Sequence, residues 1–175
     1  IDGKKVKVLN QKENQNINFG KVDVVFECTG KNLTTEKVKH HLKKGAKKVI
    51  ISAPAEDDTP TYVLGVNEDK YKGEAIISNG SCTTNCLGLI AKILDTHFEI
   101  KKGLMTTIHS YTNDQKILDV KHNRDIRRGR SAFINMIPTS TGAAKAMHKV
   151  IPSLKGKLHG QSIRVPISDV SIVDF

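Results

Sequence analysis

Apolar and polar residues fall into short blocks whose spacing switches between the periods of strand and helix. Lys5-Val6-Lys7-Val8-Leu9 alternates as a strand does, and a polar loop follows from Asn10 to Asn18. Val22 to Glu27 is a mostly apolar run of the kind buried in a parallel sheet, and it ends in Cys28-Thr29-Gly30. A helix is predicted from about Thr34 to Lys44, with Val38 and Leu42 on one face and Gly45 closing it. Lys48-Val49-Ile50-Ile51 is the next strand and leads to Ser52-Ala53-Pro54. This strand, helix, strand rhythm predicts a βαβ unit and a parallel sheet. Further on, Ala75-Ile76-Ile77 reads as a strand, and Leu87, Ile90, Ile93 and Leu94 recur as one buried helical face. Met105 to Ile108 is a β-branched strand, Ala143 to Val150 an alanine-rich helix, and Val170 to Phe175 strand-like.

The chemistry concentrates where the third apolar strand gives way to a helix, in Ser78-Asn79-Gly80-Ser81-Cys82-Thr83-Thr84-Asn85-Cys86. Ser81, Thr83 and Asn85 are suited to capping the first free amides. At such an N-terminus the amides and the helix dipole favour a thiolate, making Cys82 a nucleophile near neutral pH. A lone cysteine is ordinarily a small buried hydrophobe. Here a partner exists, because the Met105 to Ile108 strand delivers His109 where a loop begins. A cysteine and a histidine far apart in sequence, each at a strand end, is the pattern of a nucleophile and its base. Cys28 is read as packing, and Cys86, one turn below Cys82, as buried and structural.

SNGSCTTNC, HSYTNDQ, RRGRSA, IPTSTGAAKA and IRVPISDVSIVDF occur in this order, and a chain carrying them resembles the phosphorylating glyceraldehyde-3-phosphate dehydrogenases throughout 1–175. The resemblance implies an α/β fold: the C-terminal part of a Rossmann-type cofactor domain over 1–80, then the first half of an α+β catalytic domain over 81–175. No G-x-G-x-x-G turn occurs and the chain opens on Ile1, so it is expected to be part of a longer enzyme, inactive alone. By resemblance Cys82 and His109 are catalytic. Ser81, Thr83, Thr141 and Gly142 match the site for attacking phosphate, with Arg164 as its fixed cation. Thr112, Asp114 and Arg164, with Arg128 in addition, match the site for the substrate's own phosphate. Thr29, Gly30, Ser52 and Asn113 match cofactor contacts, and Lys12 falls near the adenine end. The cofactor implied is NAD, although Val120-Lys121 falls where NAD- and NADP-selecting relatives differ. The segment from Tyr111 to Ile134 matches a long loop packing near a neighbouring subunit, implying a homo-oligomer, by resemblance a tetramer. The substrates implied are glyceraldehyde 3-phosphate and inorganic phosphate.

Composition changes this picture little. Three cysteines with no C-x-x-C pair give neither a disulfide framework nor a zinc signature, and a reducing, cytoplasmic setting is expected. No apolar run approaches the roughly 20 residues of a membrane helix. The formal charge of +10 rests partly on Lys37, Lys39, Lys43, Lys44, Lys47 and Lys48, and on Arg124, Arg127, Arg128 and Arg130. No aromatic residues interleave with the lysines as a base-stacking platform needs, so a solvated face is expected rather than a nucleic-acid site. Three other readings stand beside the first. Erythrose-4-phosphate dehydrogenase hydrolyses the thioester, a cysteine hydrolase would use the same pair without a dinucleotide, and a basic binding module would leave Cys82 inert.

Overall fold

The structure, a computed structural model, describes residues 1–123 and 125–175, so Arg124 of the second basic cluster lies outside the described residues. The chain is mixed α/β and forms two units, one of Ile1–Tyr62 with Asp69–Gly80, the other of Val63–Glu68 with Ser81–Phe175.

In the first unit, β1 (Val22–Glu27), β2 (Ala46–Ile51) and β3 (Ile76–Ser78) form a parallel sheet in sequential order. Val25, Val38, Ala46, Val49, Ile51 and Ile76 make its core, with Val22, Leu33 and Leu42 packed on the edge. The helical crossover is broken in two, α1 (Thr35–Val38) and α2 (His40–Lys43), instead of running unbroken from Thr34 to Lys44. Thr34 caps α1 by accepting the Lys37 amide, and Gly45 leaves α2 at φ +106°, a conformation that favours glycine. The β1 run is buried on one face only: Val25 and Glu27 point inward, whereas Phe26 is exposed. Among the described residues α1 and α2 cover a single face of this sheet, which removes the reason for both faces to be dry. The Lys5–Leu9 alternation forms no strand, and Val6 and Val8 are exposed. Alternation supplies a face but not a neighbour, and an unpaired strand leaves its backbone groups without a ladder. Within the lysine cluster, Lys39 pairs with Glu36, Lys47 with Asp23, and Lys44 donates to the Ile17 carbonyl.

The second unit holds a four-stranded mixed sheet in the order β5 (Ile137–Ser140), β6 (Leu158–Val165), β4 (Gly103–Ser110), β7 (Ser171–Asp174). Its two longest strands, β4 and β6, run parallel in register from Gly103↔Leu158 to Ser110↔Val165. One long helix, α3 (Cys82–Phe98), and a short one, α4 (Ala143–Ala146), which continues as a 3₁₀ turn over Met147–Lys149, share a core with this sheet. That core contains Val63, Val66, Leu87, Ala91, Met105, Ala144, Met147 and Leu158. Full burial of a side chain such as Leu87 is worth about 1.5–3 kcal/mol. The buried face of α3 is Thr83, Thr84, Leu87, Gly88 and Ala91, so Ile90 and Ile93, expected inside, are exposed. The small residues define the face because they permit close approach: a Cβ on Gly88 would stand 3.2 Å from Val66. Cys86 shares the outward side of α3 with Cys82 and is exposed, not buried, and Cys28 is exposed at the end of β1. No described helix is long and apolar enough to cross a membrane.

Candidate active site

Cys82 is the first residue of α3. Ser81, the N-cap, has extended backbone, and its Oγ accepts the Thr84 amide at 3.0 Å. The Cys82 and Thr83 amides therefore stay outside the intrahelical ladder, at the positive end of the dipole. His109 lies at the end of β4, and its Nε2 is 3.3 Å from Cys82 Sγ. Among the described residues Cys82 is the only cysteine with an imidazole at this distance.

The β4–β6 register sets Arg164 opposite His109. Arg164 Nη1 comes within 2.7 Å of His109 Nδ1 and donates to the Ser110 carbonyl at 3.1 Å. That carbonyl is itself 2.8 Å from His109 Nδ1. Nδ1 thus faces both a permanent donor and an acceptor. When Nδ1 carries the proton it donates to Ser110, leaving Nε2 free to accept from the thiol. When Nδ1 is bare it accepts from Arg164, and Nε2–H donates to the sulfur. Both halves of a proton-transfer cycle have partners in place.

Burial first, and then the Arg128 guanidinium, push Arg164 below the ordinary guanidinium range, while Cys82 and Asp114 act in the opposite sense. Two guanidinium groups near enough to repel create a place that an anion relieves. Arg128 is fixed by Asp114, by Thr139 Oγ1 at 2.8 Å and by the Ser140 carbonyl at 3.4 Å. Burial works to raise the Asp114 carboxyl, but Arg128 and His122 outweigh it and hold it below the carboxylate range. The Asp114 carboxylate is therefore held against the Arg128 guanidinium.

The segment carrying these groups is tied back on itself. Val120 donates to the Gly129 carbonyl, Ala132 to the Lys116 carbonyl and Ser131 to Asp119. Each described arginine of the basic cluster meets a carboxylate, Arg127 on Asp125, Arg128 on Asp114 and Arg130 on Asp119. The Arg127 side chain above all, opposed by burial and helped by the Arg127 amide and Thr139, lowers the Asp125 carboxyl from 3.8 to about 2. Because the folded value lies below the unfolded one, its contribution is complete above about pH 4 and drains away as the pH falls to about 2. Protection of the Arg127 amide, which donates to the Asp125 carboxylate at 3.0 Å, corrected for intrinsic exchange, is expected to decline only across that window. Loss of protection already near neutral pH would contradict it.

The other residues singled out from the sequence are distributed as follows. Thr112 and Asn113 are exposed, with the Thr112 amide donating to Gln115 Oε1 at 3.3 Å. The Thr83 residue is buried in the first turn of α3. Thr141 Oγ1 accepts the Ala143 amide at 3.2 Å, and Gly142 is the α4 N-cap. In the first unit, Thr29, Gly30 and Ser52 are exposed at the carboxyl ends of β1 and β2. Ser52 donates to the Glu27 carbonyl, and the Glu27 side chain accepts the Thr29 amide at 2.8 Å and Asn32 Nδ2 at 3.1 Å. Glu27 was passed over as the end of an apolar run, although a carboxylate at an inward-facing strand position is itself a signal. Asp125 gives no comparable signal, and Thr139 and Ser110 stand in the sequence only as members of the IPTSTGAAKA and HSYTNDQ motifs. Among the described residues no cluster of three or more His, Cys, Asp or Glu is arranged to hold a metal ion.

A sequence model of the glyceraldehyde 3-phosphate dehydrogenase C-terminal domain matches residues 81–175. Chloroplastic glyceraldehyde-3-phosphate dehydrogenase A of Zea mays is 53% identical over 178 residues, covering 100% of this chain and 44% of the relative. The enzyme of that name from Geobacillus stearothermophilus is 52% identical over 179 residues, covering 100% of this chain and 53% of the relative. Glyceraldehyde-3-phosphate dehydrogenase 1 of Bacillus subtilis is 53% identical with the same coverage. The chain spans about half the length of the curated relatives it matches.

Proposed function

Because this chain belongs to the glyceraldehyde-3-phosphate dehydrogenase family, we propose that it is the part of such an enzyme that carries the nucleophile, its base and the anion sites. The enzyme converts D-glyceraldehyde 3-phosphate and inorganic phosphate to 1,3-bisphosphoglycerate with reduction of NAD. The observation that carries this is the 3.3 Å contact of Cys82 Sγ with His109 Nε2 at the start of α3, beside Arg164.

The Cys82 thiolate attacks the aldehyde carbon, forming the C–S bond of a hemithioacetal, and the aldehyde oxygen gains the proton that His109 carried at Nε2. His109 then takes the hydroxyl proton at Nε2 as the carbon–hydrogen bond gives up its electron pair as hydride, leaving a thioester on Cys82. NAD, when bound, supplies the hydride acceptor. Inorganic phosphate attacks the thioester carbon, the C–S bond breaks, and Cys82 is released as thiolate with the acyl phosphate as product. Ser81, Thr83, Thr141, Gly142 and Arg164 are assigned to the attacking phosphate, and Thr112, Arg164 and Arg128 to the substrate's phosphate, with Asp114 holding Arg128. Arg164 serves as a fixed cation because a guanidinium binds a phosphate with two parallel hydrogen bonds.

The first unit fits part of a dinucleotide site. Ligands of open α/β sheets collect at the carboxyl ends of parallel strands, where Thr29, Gly30 and Ser52 are exposed. Gly30 takes φ +69°, and a Cβ there would meet nothing within 4 Å, so this turn is open to an incoming group. These residues are assigned to NAD, and Asn113 is assigned to it by the family resemblance alone. A homotetramer and a cytoplasmic location belong to the same reading.

In the full-length enzyme, reduction of NAD in the presence of glyceraldehyde 3-phosphate is expected to depend on inorganic phosphate and to yield an acyl phosphate. Equal turnover without phosphate, with a carboxylate as product, would instead make the enzyme hydrolytic, as the erythrose-4-phosphate reading requires.

A further inference from the structure

We propose that His122 is a positioning residue that sets Arg128 at the anion-binding end of the site through Asp114. Five residues close a ring of polar contacts. His122 Nδ1 accepts the Asp125 amide at 3.1 Å, and its Nε2 lies 3.5 Å from Asp114 Oδ1. The other Asp114 oxygen accepts from Arg128 Nη1. Arg128 Nε donates to Thr139 Oγ1 at 2.8 Å, and Thr139 Oγ1 donates to Asp125 Oδ2 at 3.1 Å. Asp125 returns the ring to His122 through its own backbone N–H.

The geometry decides the state of the imidazole. A ring nitrogen that accepts an amide N–H carries no proton, so in neutral His122 the proton sits on Nε2, the nitrogen facing Asp114. The His122 side chain is only 8% exposed, so this orientation is held by packing as well as by the amide. Asp114 is thus engaged at both oxygens and cannot swing away from Arg128 or turn its charge toward an arriving anion. Arg128 spends three N–H bonds inside the protein, on Asp114, Thr139 and Ser140. A guanidinium has five N–H donors, so two remain for a phosphoryl oxygen. His122 itself touches no reacting atom. It acts by fixing the direction of the two donors that remain.

The ligand chemistry is a phosphoryl oxyanion, and its assignment to a reaction rests on the dehydrogenase reading. Two sources share that chemistry, the substrate's own phosphate and free inorganic phosphate. The test uses the full-length enzyme with His122→Phe, which keeps a planar aromatic ring and removes both nitrogens, and His122→Gln, which keeps a donor reaching toward Asp114. His122→Phe is expected to raise by about tenfold the KM for whichever phosphate Arg128 serves, with a smaller change in kcat and an unchanged rate of Cys82 carbamidomethylation. His122→Gln is expected to recover most of that loss. A raised KM for the aldehyde phosphate places Arg128 at the substrate, and a raised KM for inorganic phosphate places it at the attacking group; either supports the proposal. Both KM values within twofold of the unmodified enzyme would overturn it. So would a parallel fall of both affinities, Cys82 labelling and the thermal midpoint, which marks a merely structural role. If the unmodified enzyme reduces no NAD with the phosphorylated aldehyde, the dehydrogenase reading fails, and binding of inorganic phosphate followed by phosphorus NMR decides separately. Weaker binding by His122→Phe supports the ring; equal binding, or none by the unmodified protein, overturns it.

Discussion

Replacing Cys82 with serine is expected to lower turnover of the full-length enzyme by a factor on the order of 10⁶, the scale of deleting an enzyme's nucleophile. The substitution changes one atom at the first position of α3 and leaves the Ser81 cap and the buried face of Thr84, Leu87 and Ala91 untouched. The loss is therefore chemical. A serine hydroxyl in the place of the sulfur that lies 3.3 Å from His109 Nε2 holds its proton far more tightly than a thiol, and an oxygen ester in place of the thioester is a poorer acyl donor to phosphate. Steady-state rates at saturating substrate measure the effect. More than about one-hundredth of normal turnover in the serine variant would remove Cys82 from the nucleophile's role. Cys86 is not a substitute: it is exposed, but no described imidazole stands beside it.

Replacing His109 with asparagine is expected to slow hydride formation by about 10²–10⁴-fold, the usual weight of a positioned general base. Asparagine is close enough in length to keep a polar atom near the Ser110 carbonyl and Arg164, which His109 meets through Nδ1. It is too short to reach the sulfur, which His109 meets through Nε2. The variant thus separates orientation from proton transfer. Single-turnover reduction of NAD reads the consequence directly, and an unchanged rate would contradict the assignment of His109 as base.

Both residues were legible in the sequence because their positions follow from local rules. Cys82 sits where an apolar strand meets a capped helix, and His109 where a β-branched strand ends. Arg164 was legible only through resemblance. Its meeting with His109 depends on a parallel register between strands 55 residues apart, which no local period encodes. His122 and Asp125 were missed for the same reason, and Thr139 was legible only within its motif: each is an ordinary polar residue until tertiary contacts bring the ring together. The face of α3 was misread because its large apolar residues lie on both sides, and close packing against Gly88 and Ala91 decided which side went in. That error carried Cys86 with it. Lys5 to Leu9 alternated correctly for a strand, yet pairing is a property of two segments and one segment cannot display it.

The most direct test of the nucleophile and base pair is the pH dependence of iodoacetamide labelling, mapped by peptide to Cys28, Cys82 and Cys86. The three are all exposed, so access does not distinguish them and each of the other two serves as a reference for Cys82. Cys82 is expected to react fastest and to remain reactive well below about pH 8.5, where an ordinary thiol ionises. His109→Asn should remove that advantage. Equal labelling of all three cysteines with the same pH profile, in the full-length enzyme, would contradict the account.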